Sequence, residues 1–237
     1  MKKHRRLALG LLAALSLFAA SGQGTASANE NGEPSPSWVT QLPEAQDAQQ
    51  LLVVAAYDLS TAWVSLHERE EDGSWRMLMT TPGFIGREGL GKTQEGDGKT
   101  PVGCFGFDAA FGIAPDPGCA LPYVQVDEYS YWSGDEREGM RYNELVDIRD
   151  LPELDLSRSE HLIDAVSSYQ YCLNISYNPD GVPGLGSAIF LHCLSPNRPF
   201  TSGCVAIPEE QMRLVMHLVR EDCLVRIDSL ENLGGSF

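Results

Sequence analysis

Ser187-Ala188-Ile189-Phe190-Leu191-His192 and, nine residues on, Thr201-Ser202-Gly203-Cys204-Val205-Ala206-Ile207 are the stretch on which the reading of this chain turns. Each half holds a short apolar run of strand length, and between them lies a polar loop with Pro196 and Pro199. Two strands joined by so short a connection are expected to be neighbours in one sheet. Their ends then bring His192, at the close of the first, near Cys204, at the start of the second. A Cys beside a His can be ionised near neutral pH, and the thiolate is the reactive form. Gly203 leaves room for close approach, and backbone N–H groups around Ser202, Gly203 and Cys204 can form an oxyanion hole. Spacing alone also fits a buried thiol and a satisfied core histidine. A zinc site from His192, Cys193 and Cys204 lacks the paired short spacings such sites use.

Outward from this stretch the pattern stays β-rich. Leu51 to Ala56 reads as a strand, Ala62 to His67 as its hairpin partner, and Trp75 to Met79 as a third, with a turn at Asp72-Gly73. Tyr169 to Tyr177 and Cys223 to Ile227 add two more. Glu209 to Arg220 predicts a helix, because Met212, Val215, Met216 and Val219 keep the spacing of one face and Glu209 and Glu210 suit its positive end. A further helix is expected from Ser159 through Leu162, Ile163 and Val166. The fold class is therefore mainly β with one or two helices. The long, irregular stretch from Asp108 to Asp155 is expected to form a lid or cleft wall.

The N-terminus reads as an export signal. Lys2, Lys3, Arg5 and Arg6 precede an apolar run from Leu7 to Ala20, too short for a stable membrane span, and Ala26-Ser27-Ala28 offers a cleavage site. Residues 1–28 are thus expected to be a signal peptide and polar residues 29–47 a disordered leader. Residues 48–237 form one domain. The expected location is beyond the cytoplasmic membrane, in the periplasm or cell wall. The net charge of −16 becomes more negative without the basic signal, which argues against nucleic acid or an anionic membrane as partner.

Export favours disulfides. Of the six cysteines, Cys104 and Cys119 flank a loop rich in Gly and Pro and are the expected pair, while Cys172 and Cys223 read as buried thiols. Gly86-Arg87-Glu88-Gly89-Leu90-Gly91-Lys92-Thr93 matches a phosphate-binding loop letter for letter, but Gly96, Gly98 and Pro101 deny it the helix such a loop needs. These glycines are read instead as a winding loop.

The segments around His192 and Cys204 resemble the active-site signature of the L,D-transpeptidase (YkuD-type) catalytic domain, in its divergent exported branch. Glu95-Gly96-Asp97-Gly98-Lys99-Thr100-Pro101-Val102-Gly103, Tyr142-Asn143, Ser159-Glu160-His161-Leu162 and Tyr177-Asn178 are similar to further segments of that family, so the resemblance spans roughly residues 50–228. Ser202 stands where the common motif has a second His, which leaves His192 as the base. The resemblance implies an L,D-transpeptidase-like β-sandwich or barrel at 48–237 and a Cys204 thioester formed on peptidoglycan stem peptides. The thioester passes to an acceptor amine, or to water in an L,D-carboxypeptidase. It also implies a Cys193 carbonyl orienting the His192 ring, carbapenem-type inhibitors, and neither cofactor nor metal. His161 either assists the site or caps a helix, and Tyr142, Trp132 and Tyr123 are candidate cleft aromatics. A non-catalytic wall-binding domain has no use for the Cys–His pair, and a redox protein is disfavoured by the absence of any Cys-x-x-Cys.

Overall fold

The computed structural model describes residues 32–236. The expected signal peptide lies outside them. Strands β1 (Glu33–Pro34), β2 (Gln50–Ala56), β3 (Thr61–Arg69), β4 (Trp75–Phe84), β5 (Gly103–Phe105), β6 (Phe107–Gly112) and β7 (Tyr123–Gln125) precede three short strands, β8 (Ser130–Trp132), β9 (Leu145–Asp147) and β10 (Glu160–His161). Strands β11 (Cys172–Ile175), β12 (Phe190–Cys193), β13 (Val205–Ile207) and β14 (Leu224–Ser229) follow. The helices are α1 (Ser37–Thr40) and α2 (Glu209–Leu218). The main sheet runs β5-β14-β2-β3-β4-β13-β12-β11-β6-β7, with β1 also on β4, and β10-β8-β9 form a second, small sheet. Strands β5 and β6 sit far apart in that order, yet only Gly106 separates them in the chain. The sheet must therefore curl until its ends meet, which gives the barrel-like, mainly β architecture expected.

The interior of the curl is packed by alternate residues of its strands, among them Leu52, Val54, Leu66, Leu173, Leu191, Val205 and Ile227. Helix α2 adds Met212, Val215 and Met216 to the same core. It ends two residues earlier than expected, because Val219 turns to extended backbone while its N–H still bonds to Val215. The β3–β4 connection turns at Asp72-Gly73: Gly73 takes a positive φ and the Asp72 carboxylate accepts the Ser74 N–H.

Three expectations are corrected. The leader is not disordered from Glu33 onward. Val39, Leu42 and Ala45 pack on Leu51, Val53, Ala55, Trp75 and Leu233, covering the outer face of β2. The physical reason is legible in β2 itself, which is apolar on both faces and needs cover on both. Val39→Ala should therefore cost about 2 kcal/mol in urea denaturation, where a disordered leader would register nothing. Second, no α-helix starts at Ser159: Glu160 and His161 pair with Trp132 and Tyr131, and only a single 3-10 turn, Leu162–Asp164, follows. Third, Cys104 and Cys119 are unbonded, as are the other four. Cys104 lies opposite Arg226 on β5, whereas β6 carries the chain away to β11 and the Cys119 loop is tied to α2 through Ala120 and Met216. Among the described residues no helix is long and apolar enough to cross a membrane.

Candidate active site

Strands β12 and β13 are parallel neighbours, with Leu191 opposite Val205 and His192 opposite Ala206. Side chains alternate along a strand, so Cys204, Phe190 and His192 leave the sheet on one face while Leu191, Cys193 and Val205 leave on the other. The packing follows that division. Cys204 and Phe190 belong to a cluster with Phe111, Trp132, Tyr169 and Cys172, and Cys193 belongs to the main core. Cys193 thus cannot share a metal with His192 and Cys204, and its thiol lies by the Tyr171 carbonyl at 3.7 Å.

Cys204 and His192 line a cleft of about 410 Å³. The His192 Nδ1 stands 2.8 Å from the Cys193 carbonyl oxygen. A carbonyl only accepts, so Nδ1 carries the proton and Nε2 is left as the acceptor of a neutral ring. The edge of Tyr169 packs on that ring at a centroid distance of 5.5 Å. Cys204 Sγ accepts from the Phe190 N–H at 3.4 Å and donates to the Ala188 carbonyl at 3.2 Å.

Burial decides the protonation states. It pushes the Cys204 thiol up to about 12, and the charge of Glu160 adds to this, against the lowering effects of the Phe190 N–H and Lys92. Burial also brings His192 down to about 4, although its bond to the Cys193 carbonyl works the other way. The resting pair is therefore a neutral thiol and a neutral imidazole. Burial thus weighs against a resting thiolate–imidazolium pair in this cleft.

The loop before Cys204 is held by the Gly-rich segment. Thr100 Oγ1 accepts the Gly86 N–H at 2.9 Å and donates to the Gly203 carbonyl at 2.7 Å, while Thr201 Oγ1 donates to the Cys204 carbonyl at 2.7 Å. A Cβ on Gly203 would come within 2.9 Å of the Lys99 carbonyl oxygen, so only glycine fits there. Ser202 and Gly203 both line the cleft, but the Gly203 N–H already bonds to Thr201 Oγ1 at 3.1 Å and so leaves the set of oxyanion donors.

His161 falls outside the cleft. It stacks on Tyr131 at 4.4 Å and its Nδ1 is 3.1 Å from Asp164. Its neighbour Glu160 faces the cleft in its place, accepting from the Tyr169 hydroxyl at 2.6 Å. Of the aromatics, Trp132 stacks on Phe111 in the core, Tyr123 donates to the Ala114 carbonyl, and Tyr142 donates to Glu95, whose carboxylate also takes the Ser187 hydroxyl. Arg87, Lys92, Glu95, Glu160, Tyr169, Arg198 and Phe200 line the cleft, and none was singled out as a site residue from sequence. Glu95 and Glu160 lie in segments that carry the family resemblance, and Lys92 lies in the loop that imitates a phosphate-binding one.

Residues 61–227 match the family model of the L,D-transpeptidase catalytic domain, YkuD. The chain belongs to this family. Solved structures similar to this L,D-transpeptidase domain include the helical cell shape determining protein Pgp2 from Campylobacter jejuni, at 16% identity over 77% of this chain and 48% of that one, with a TM-score of 0.41. A second is the L,D-transpeptidase (Yku) from Stackebrandtia nassauensis, at 12% identity over 86% of this chain and 62% of that one, with a TM-score of 0.34. The chain thus covers less than two thirds of the length of either. No curated protein matches it.

Proposed function

We propose that this L,D-transpeptidase-family domain is an exported cysteine acyltransferase acting on peptidoglycan stem peptides. The observation that carries the reading is the same-face placement of Cys204 and His192 on adjacent strands, with Nδ1 of the ring on the Cys193 carbonyl and Nε2 left to accept. His192 Nε2 takes the Cys204 proton as Sγ bonds to the carbonyl carbon between the third and fourth stem residues. The C–N bond of that L-to-D linkage breaks, and His192 returns the proton to the departing D-amino acid. An acceptor amine then attacks the thioester, forming a new amide and restoring the thiol. Water in the amine's place would make the same site an L,D-carboxypeptidase, and product analysis with an amine present separates the two.

Signal-like residues 1–28 support export to the periplasm or cell wall. The test uses a carbapenem, whose strained carbonyl acylates such a thiol. Intact mass and peptide mapping should find a single adduct on Cys204 and none in Cys204→Ala. A wild-type protein that stays unmodified while Cys204 remains a free thiol would overturn the reading.

A further inference from the structure

The loop from Gly86 to Thr93 lacks the helix needed for phosphate binding, yet its lysine is placed with care. The Lys92 side chain is only 2% exposed. It threads beneath two glycines with positive φ: a Cβ on Gly186 would collide with Lys92 Cε, and one on Gly203 would stand 3.8 Å from Nζ. Nζ donates to Asp97 Oδ1 at 3.0 Å and to the Gln94 carbonyl at 3.1 Å. These acceptors take two of the three ammonium N–H bonds, and Lys92 lines the same cleft as Cys204.

Asp97 does not simply cancel this charge. Its oxygens also accept the backbone N–H groups of Thr93, Gln94 and Lys99, at 2.8, 3.2 and 3.0 Å, which commits the carboxylate to holding the loop. Burial would raise Asp97, but those bonds and Lys92 bring it down to about 2. Around Cys204, by contrast, the packing is aromatic and the nearby carboxylate of Glu160 opposes negative charge. A thiol that must lose its proton in such surroundings needs a fixed cation close by, because a buried charge is stabilised only by partners already in place.

We propose that Lys92 is the charge-compensating residue of the cleft: its ammonium, locked beneath Gly186 and Gly203, offsets the negative charge that builds on Cys204 Sγ as His192 takes the proton. The proposal rests on Cys204 as the nucleophile but not on the identity of the acyl donor. The experiment is therefore the pH–rate profile of Cys204 alkylation by iodoacetamide, a neutral reagent that needs no stem peptide, with the adduct mapped among the six thiols. In Lys92→Met, folded by circular dichroism, the pH–rate profile between pH 6 and 9 should shift to lower rates throughout, with the rate at pH 7 falling about tenfold. Lys92→Met/Asp97→Asn leaves no unpaired buried carboxylate, and it should show the same shift if the single variant fails to fold. A profile unchanged in either folded variant overturns the proposal.

A wild-type measurement gives an independent check. Iodoacetate should modify Cys204 faster than iodoacetamide, relative to free cysteine, because its carboxylate is drawn to a cation at the sulfur. A ratio at or below one, as Glu160 and an acidic chain would impose, overturns it equally. Carbapenem acylation that fails while alkylation behaves as described would count against the stem-peptide reading and leave Lys92 in place.

Discussion

His192→Ala should slow carbapenem acylation of Cys204 by about 10²–10⁴-fold at pH 7, the usual worth of a positioned general base. The argument rests on the resting protonation states. With the thiol near 12, thiolate is scarce at neutral pH, so attack depends on a group that removes the proton during the reaction. His192 can do this over an unusually wide range, because burial holds its value near 4. The acid limb of the wild-type pH–rate profile should accordingly lie near pH 4, where the ring gains its proton and ceases to accept, and not near 6.5. In His192→Ala that limb should vanish, and the rate should climb roughly tenfold per pH unit toward the thiol's own value. A time course of adduct mass from pH 3.5 to 9 reads both effects. An acid limb near 6.5 would mean that the ring is not held down by burial, and a rate within threefold of wild type in the variant would remove His192 from the role. The same shift has a stability consequence of fixed sign. Between pH 6.5 and 4 the unfolded chain binds a proton at residue 192 that the folded protein does not, so stability falls as pH falls through that window.

How far the chain could be read in advance follows from where each feature's cause lies. Strands β12 and β13 and helix α2 were legible because apolar periodicity and a short connection specify them locally, and they carry Cys204 and His192. The packed segment from Glu33 to Gln46 has the polar, proline-bearing composition of a disordered one, although the unbroken apolar run Leu51–Ala56 requires cover on both faces of β2. The helix expected at Ser159 failed because the spacing of Leu162, Ile163 and Val166 imitates a helix, while Glu160 and His161 are claimed by a partner strand 28 residues upstream, where Trp132 pairs with Glu160. Strands of two or three residues such as β8, β9 and β10 exist only through such partners and leave little local trace. Lys92, Glu95 and Glu160 join the cleft from segments distant in sequence from Cys204, so no local spacing could bring them together. The ionisation of the Cys–His pair depends on burial, which proximity in sequence does not report.

Asn143→Ala should destabilise the folded domain by about 4 kcal/mol or more, since four buried polar groups lose one partner together, at about 1 kcal/mol or more for each. Asn143 Oδ1 accepts the Trp132 indole N–H at 3.0 Å and the Ala188 N–H at 2.9 Å. Its Nδ2 donates to the carbonyls of Tyr177 and Asn178, both at 3.0 Å. The side chain is thus used to its full capacity, joining the small sheet to the turn at 177–178 and to a residue two positions before β12. That residue, Ala188, sits at φ 54 with a Cβ, a left-handed conformation that costs about 1–2 kcal/mol and persists only where the surroundings impose it. Asn143 holds the N–H of this residue, and its carbonyl accepts the Cys204 thiol. Loss of Asn143 should therefore release the nucleophile as well as the fold. At a temperature where the variant is still folded, its carbapenem acylation should be slower than wild type. Asn143→Asp should be no better tolerated, because it turns an acceptor toward two carbonyl oxygens. Ala188→Gly should take the same backbone without the Cβ cost, so adding it to Asn143→Ala should recover part of the lost stability. Urea denaturation of the three variants decides the matter: a loss below about 1 kcal/mol in Asn143→Ala would mean that Ala188 is held by other contacts.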